Sequence, residues 1–221
     1  MARQHGIAGG TLKGNLVGML LLVVAVGFFA FLAIRWVAPS LAPLAPLLGM
    51  FAAVSLLRDR KIENTIVAQA RGAIGESRVG SALARLPSGW RVFHDVMLET
   101  ENVDHVVVSN RGVFSIEAKN YSGDIRVEPT GVFTHGKRND KIVKQAWRQS
   151  HRLRELLGVE VEPILVFTGR SFGARKVGRL DVMGADALVP FLLGHDVRRL
   201  DLAEGRRVME LLANRCVGGP K

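Results

Sequence analysis

The chain has 221 residues, 48% of them hydrophobic, with a formal net charge of +10 and one cysteine, Cys216. A lone cysteine excludes an intramolecular disulfide framework and a multi-cysteine zinc site. The length suits one substantial domain plus an accessory segment, and the positive surplus suits an anionic partner, nucleic acid or anionic lipid, without choosing between them.

The apolar residues gather at the start. Residues 16–34 and 36–57 contain no charged side chain, and only Arg35 separates them. Each run approaches the roughly 20 residues that cross a bilayer core. The pattern predicts a membrane hairpin over residues 1–57, with transmembrane spans at about 15–34 and 41–57. Pro39, Pro43 and Pro46 delay or kink the second helix, so a re-entrant or interfacial second segment is the alternative. Arg3 and Lys13 before the hairpin and Arg58, Arg60 and Lys61 after it place both ends in the cytoplasm by the positive-inside rule. The expected localisation is therefore the cell membrane, multi-pass, with a cytoplasmic N-terminus and C-terminal domain.

All 20 acidic residues, and all of the 30 Lys and Arg except Arg3, Lys13 and Arg35, lie from Arg58 onward. Residues 58–71 read as a polar linker or helical extension, and a domain spans 72–221. Val79, Leu83 and Leu86 recur at helical spacing before Pro87, with Glu76 projecting toward the same face. WRVFHDVML, VDHVVVS, GVFSIEAKN and GDIRVEP follow as strands separated by turn signals, the second and third forming an antiparallel hairpin around Asn110-Arg111-Gly112. A long helix is expected from about Asp140 to Leu157, with Ile142, Ala146, Ser150, Leu153 and Leu157 on one face. VEPILVFTG reads as a further strand, LDVMGADALVPFLL as a short strand and a helix start, and AEGRRVMELLANR as a final helix. The order implies an α/β fold, a mixed sheet flanked by helices and preceded by the membrane hairpin.

Charges interrupt the two hairpin strands. Glu117 and Lys119 point to one face, and pairing around Gly112 brings Asp104 to meet them. Two hard oxygen ligands suit Mg²⁺ (or Mn²⁺), and a lysine two residues on can stabilise charge at an attacked phosphate or at the attacking water. The structural alternative is a buried Asp104–Lys119 ion pair with Glu117 at a solvated strand end. Glu76 has a helix-capping alternative, and His105, on the face opposite Asp104, reads as a hydrogen-bonded core histidine.

Asp104 with Glu117-Ala118-Lys119 resembles the D…(D/E)xK signature of restriction-endonuclease-like nucleases. The wider set, Gly75-Glu76, Val103-Asp104-His105, Gly112-Val113-Phe114, Ile116 to Asn120, Gly123 and Gln145, resembles the NERD (nuclease-related) domain over roughly residues 72–190. The resemblance implies a restriction-endonuclease-like sheet in which Asp104 and Glu117 hold the divalent metal and Lys119 serves the attacking water. It further implies that Glu76 adds a carboxylate and that Gln145 orients the lysine or the water.

Lys141, Lys144, Arg148 and Arg152 recur at spacings of three and four along one helical face, and Arg170, Arg175, Lys176 and Arg179 cluster in a Gly-containing loop. Such stripes neutralise phosphates, though a merely solvated basic face has the same pattern. No aromatic residues interleave them, so recognition would be backbone-directed. The expected function is a membrane-anchored, Mg-dependent nuclease acting on DNA. The alternative is a catalytically inactive, membrane-tethered module that binds nucleic acid or a partner.

Overall fold

The computed structural model describes residues 2–5, 24, 25, 27–29, 31, 32, 35, 36, 60–121 and 123–216. The chain divides into two compact units, one of Met1–Gly10 with Gly72–Lys221 and one of Thr11–Arg71. In order, the elements are β1 (Arg3–His5), α1 (Arg60–Leu83), β2 (Arg91–Met97), β3 (Asn102–Ser109), β4 (Gly112–Lys119), β5 (Ile125–Glu128), β6 (Gly131–Thr134) and β7 (Lys137–Arg138). They continue with α2 (Asp140–Leu157), β8 (Val161–Phe167), β9 (Arg175–Val177), β10 (Leu180–Gly184), α3 (Ala185–Gly194) and α4 (Leu202–Ala213).

Seven strands form one sheet in the order β1-β2-β3-β4-β8-β10-β9, and β5, β6 and β7 form a small separate sheet. The large sheet is mixed: β2, β3 and β4 run antiparallel in turn, while β8 joins β4 in parallel and β10 joins β8 in parallel. The parallel β4–β8 pair requires a crossover, and α2 supplies it. Side-chain alternation gives the central strands two buried faces. Phe114, Ile116, Ala118, Ile164 and Val166 pack with Val79, Leu83, Leu188 and Leu192 from α1 and α3. Val106, Val108, Val113 and Val161 pack with Leu153, Leu157, Val208 and Leu212 from α2 and α4. The mixed sheet flanked by helices expected from the sequence is therefore present.

The expected transmembrane hairpin, the membrane partner and the multi-pass localisation require correction. Among the described residues no helix is long and apolar enough to cross a membrane. All of residues 41–57 and most of 15–34, on which the expectation rested, lie outside the described residues. The one long helix that is described, α1, carries Arg60, Lys61, Glu63, Arg71, Glu76 and Arg78, a charge density that a bilayer core disfavours. Two details concern the chain from Arg60 onward. The stretch 58–71, read as a linker or helical extension, is helical from Arg60 and continuous with the helix of Val79 and Leu83, which places Glu76 inside α1 rather than at its cap, and part of the basic loop is strand β9, paired antiparallel with β10.

Candidate active site

The site forms where β3 begins and β4 ends. The hairpin register pairs His105 with Ile116, and one step further along both strands Asp104 comes opposite Glu117. There the backbone ladder opens: the Ala118 N–H donates to Asp104 Oδ2 at 2.8 Å. Glu117 is buried, with its side chain 2% exposed, and Lys119 pairs with its Oε1. The other carboxylate oxygen, Glu117 Oε2, is buried without a hydrogen-bond partner. A buried acceptor is ordinarily satisfied, so an open one at a charged cluster marks a place where a ligand's positive charge would fit.

The electrostatics agree with that reading. Burial, then the charges of Glu117 and Glu76, push the Asp104 carboxyl well above the usual range, and neither Lys119 nor the Ala118 N–H brings it back. Burial works against the Lys119 ammonium, but the charge and hydrogen bond of Glu117, with Asp104 and Tyr121, outweigh it and hold the lysine above its ordinary value. Asp104 and Glu117 thus act together on one ammonium, and Glu76 adds its charge at Asp104. Hard oxygen donors in that number fit Mg²⁺ or Mn²⁺, which bind through one or two carboxylates and keep several waters.

The raised Asp104 value has a consequence for stability. Between the ordinary carboxyl value and its folded value, Asp104 binds its proton more in the native than in the unfolded chain, so its contribution falls as pH rises through that window. Without divalent cation at neutral pH, Asp104→Asn is expected to raise the melting temperature by a few degrees, on the order of 1 kcal/mol, because the amide oxygen still accepts the Ala118 N–H. Mg²⁺ should raise the melting temperature of the wild type and leave that of this variant unchanged.

Gly75 and Glu76 arrive on α1. A Cβ at Gly75 would stand 2.9 Å from Asn120 Cβ and 3.2 Å from Thr168 Oγ1, so the missing side chain lets the helix press on the ends of β4 and β8. In a solvated helix, Gly→Ala stabilises by about 1 kcal/mol. At position 75 the clash is with a neighbouring Cβ that cannot swing aside, so Gly75→Ala should instead lower stability by roughly 1–3 kcal/mol, measurable by urea unfolding.

The helix α2 borders the site. Gln149, buried, donates from Nε2 to the Asn102 carbonyl at 3.0 Å, and Arg148 grips both oxygens of Glu101 at 2.7 Å each. Gln145 lies one helical turn before Gln149, half-buried. It is Gln149 that is tied to the strand bearing Asp104. The sequence offered a signal for it, a glutamine beside Ala146 and Ser150 on the apolar stripe. On the opposite sheet face His105 is fully buried, and its Nδ1 meets His94 Nδ1 at 2.7 Å. Asp95, beside His94, takes a left-handed backbone (φ 52°) and accepts from Asn102 Nδ2 at 2.8 Å, a conformation that aspartate tolerates better than most residues.

The basic residues divide. Arg148 and Arg152 are both committed to Glu101, Lys176 pairs with Asp181 at 3.1 Å, and the Arg175 guanidinium lies 5.8 Å from the Phe172 ring centre. Lys141 and Lys144 are exposed.

Residues 71–168 match the family model of the nuclease-related domain, NERD. Over those residues the chain is similar to the NERD domain. Glu76, Asp104, Glu117, Lys119 and Gln145 all fall inside it, whereas Arg175, Lys176, α3 and α4 lie beyond its matched end. An uncharacterized protein of Bacillus anthracis is 39% identical over 59 residues, which cover 24% of this chain and 28% of that protein. The match therefore spans little more than a quarter of that relative. No solved structure matches the chain.

Proposed function

We propose that the NERD domain is a divalent-cation-dependent phosphodiesterase that hydrolyses nucleic acid, with DNA as its substrate. The observation that carries this reading is the buried, unpartnered Glu117 Oε2 beside Asp104 and the Lys119 ammonium. Asp104 and Glu117 would hold Mg²⁺ or Mn²⁺, and the bound ion would lower the pKa of a coordinated water and neutralise charge on the phosphate. The chain's own groups do the rest. The Ala118 N–H fixes the Asp104 carboxylate, and Glu117 holds Lys119 through one oxygen while leaving the other open. Lys119 then places its ammonium against the attacking water or a phosphate oxygen, where charge grows as the new P–O bond forms and the bond to the leaving sugar oxygen breaks. The water's proton ends on that leaving oxygen. Glu76 adds negative charge next to Asp104, and Gln145 would orient the lysine or water from α2. Exposed Lys141 and Lys144 are the cations best placed to take up the polyanion, with Arg148, Arg152, Arg175 and Lys176 joining by exchanging their internal partners for phosphates.

The test compares double-stranded DNA, single-stranded DNA and RNA as substrates of the purified chain, in Mg²⁺ and in excess chelator. Cleavage of DNA in Mg²⁺ alone is the expected result. Salt-sensitive DNA binding without cleavage under any cation would instead support a binding module.

A further inference from the structure

A second group of metal-type ligands lies outside the site already described. Glu162 at the start of β8, Asp181 on β10 and His195 just after α3 each offer a ligand atom, and these atoms lie within 4.8 Å of one another. We propose that they form a separate cation site with a preference for zinc-class ions over Mg²⁺.

Three observations support it. First, the donors are mixed: an imidazole nitrogen with two carboxylates selects Zn²⁺ or Co²⁺ over the all-oxygen preference of Mg²⁺. Second, His195 Nε2 sits 3.1 Å from both Glu162 oxygens, its ring stacked on Phe191 at a 4.6 Å centroid distance, so the nitrogen is aimed before any ion arrives. Third, Asp181, its side chain 2% exposed, keeps a ligand oxygen within 4.8 Å of those of Glu162 and His195 while pairing with Lys176 at 3.1 Å. Two carboxylates held that close repel each other, and a cation between them relieves the repulsion. Zinc bonds of about 2.0–2.2 Å put tetrahedral ligands some 3.3–3.5 Å apart, so closing the present spread asks for side-chain shifts of about an ångström. A cavity of about 780 Å³, lined by Glu162, Lys176, Arg154 and Arg179 among others, reaches one of the three ligands, Glu162. Without an ion, His195 is hydrogen-bonded to Glu162 and Lys176 forms an ion pair with Asp181. The Lys176 side chain is 60% exposed and can turn to solvent when the ion takes its place.

The site would pin β8, β10 and the end of α3 together. Zn²⁺ should therefore raise the melting temperature of the full chain, and Co²⁺ should give the visible absorption of a nitrogen- and oxygen-ligated ion. Glu162→Gln, close to isosteric, and His195→Asn should each weaken Zn²⁺ binding at least tenfold. Lys176→Met, which removes the competing cation, should tighten it. Asp104→Asn combined with Glu117→Gln should leave it unchanged. Zn²⁺ affinity unaltered by Glu162→Gln and by Lys176→Met would overturn the proposal, as would Zn²⁺ binding lost only in the Asp104/Glu117 double variant.

Discussion

Replacing Lys119 with methionine is expected to lower the DNA cleavage rate by about 10²- to 10³-fold, the usual loss when one preorganised charge-stabilising group is removed, while Mg²⁺ binds no more weakly than before. The separation follows from the pairing. Lys119 is bound to one oxygen of Glu117, so in the proposed site it competes with the cation for that carboxylate, and its removal leaves Glu117 freer to ligate. Glu117→Gln and Asp104→Asn should behave differently and lose cation affinity and cleavage together. If Lys119 served only as a structural partner for Glu117, Lys119→Met would cost stability, through an uncompensated buried carboxylate, and leave no separate defect in rate. Combining the substitutions should not multiply their effects, because the three groups act as one unit. Single-turnover cleavage beside calorimetric Mg²⁺ titration separates these outcomes.

Acid should destabilise the domain through His105. Burial, then the neighbouring His94, pushes its imidazole down to about 3, whereas in the unfolded chain it titrates near its ordinary value of about 6.5. Between those values the unfolded chain binds a proton that the native core refuses. Stability must therefore fall as pH drops from about 6.5 to about 3, by up to roughly 1.4 kcal/mol per pH unit, with no further change from this group below that range. Asp104, with its raised value, acts with the opposite sign over part of the same range, so the difference between proteins carries the test. His105→Gln should show a shallower loss of urea-unfolding stability on acidification than wild type, and identical slopes would mean that His105 is not held neutral.

The sheet and the hairpin were legible because their signals are local and strong. The Asn-Arg-Gly turn fixes which residues of β3 and β4 face each other, and a register read from that turn is enough to bring Asp104 to Glu117. The apolar runs of residues 16–57 misled because hydropathy reports what a segment could cross, while among the described residues no helix is long and apolar enough to do so. Strand β9 was hidden in a basic, glycine-containing loop because its pairing with β10 is tertiary and leaves little trace in a three-residue stretch. Partner choice was equally hard to read. The spacing of Arg148 and Arg152 places them on one helical face, but nothing local reveals that Glu101, far away in sequence, already engages both. Gln149 illustrates the reverse case, a polar residue on an apolar stripe whose reason becomes visible only when the Asn102 carbonyl lies opposite it.

The measurement closest to the central claim is plasmid cleavage by the wild-type chain and by Glu117→Gln, purified side by side, in Mg²⁺ and in excess chelator. The wild type should convert supercoiled DNA to nicked or linear forms only in Mg²⁺, and the variant, folded by circular dichroism, should not. Equal cutting by both proteins would contradict it, because cleavage would then owe nothing to the carboxylate whose buried oxygen defines the site.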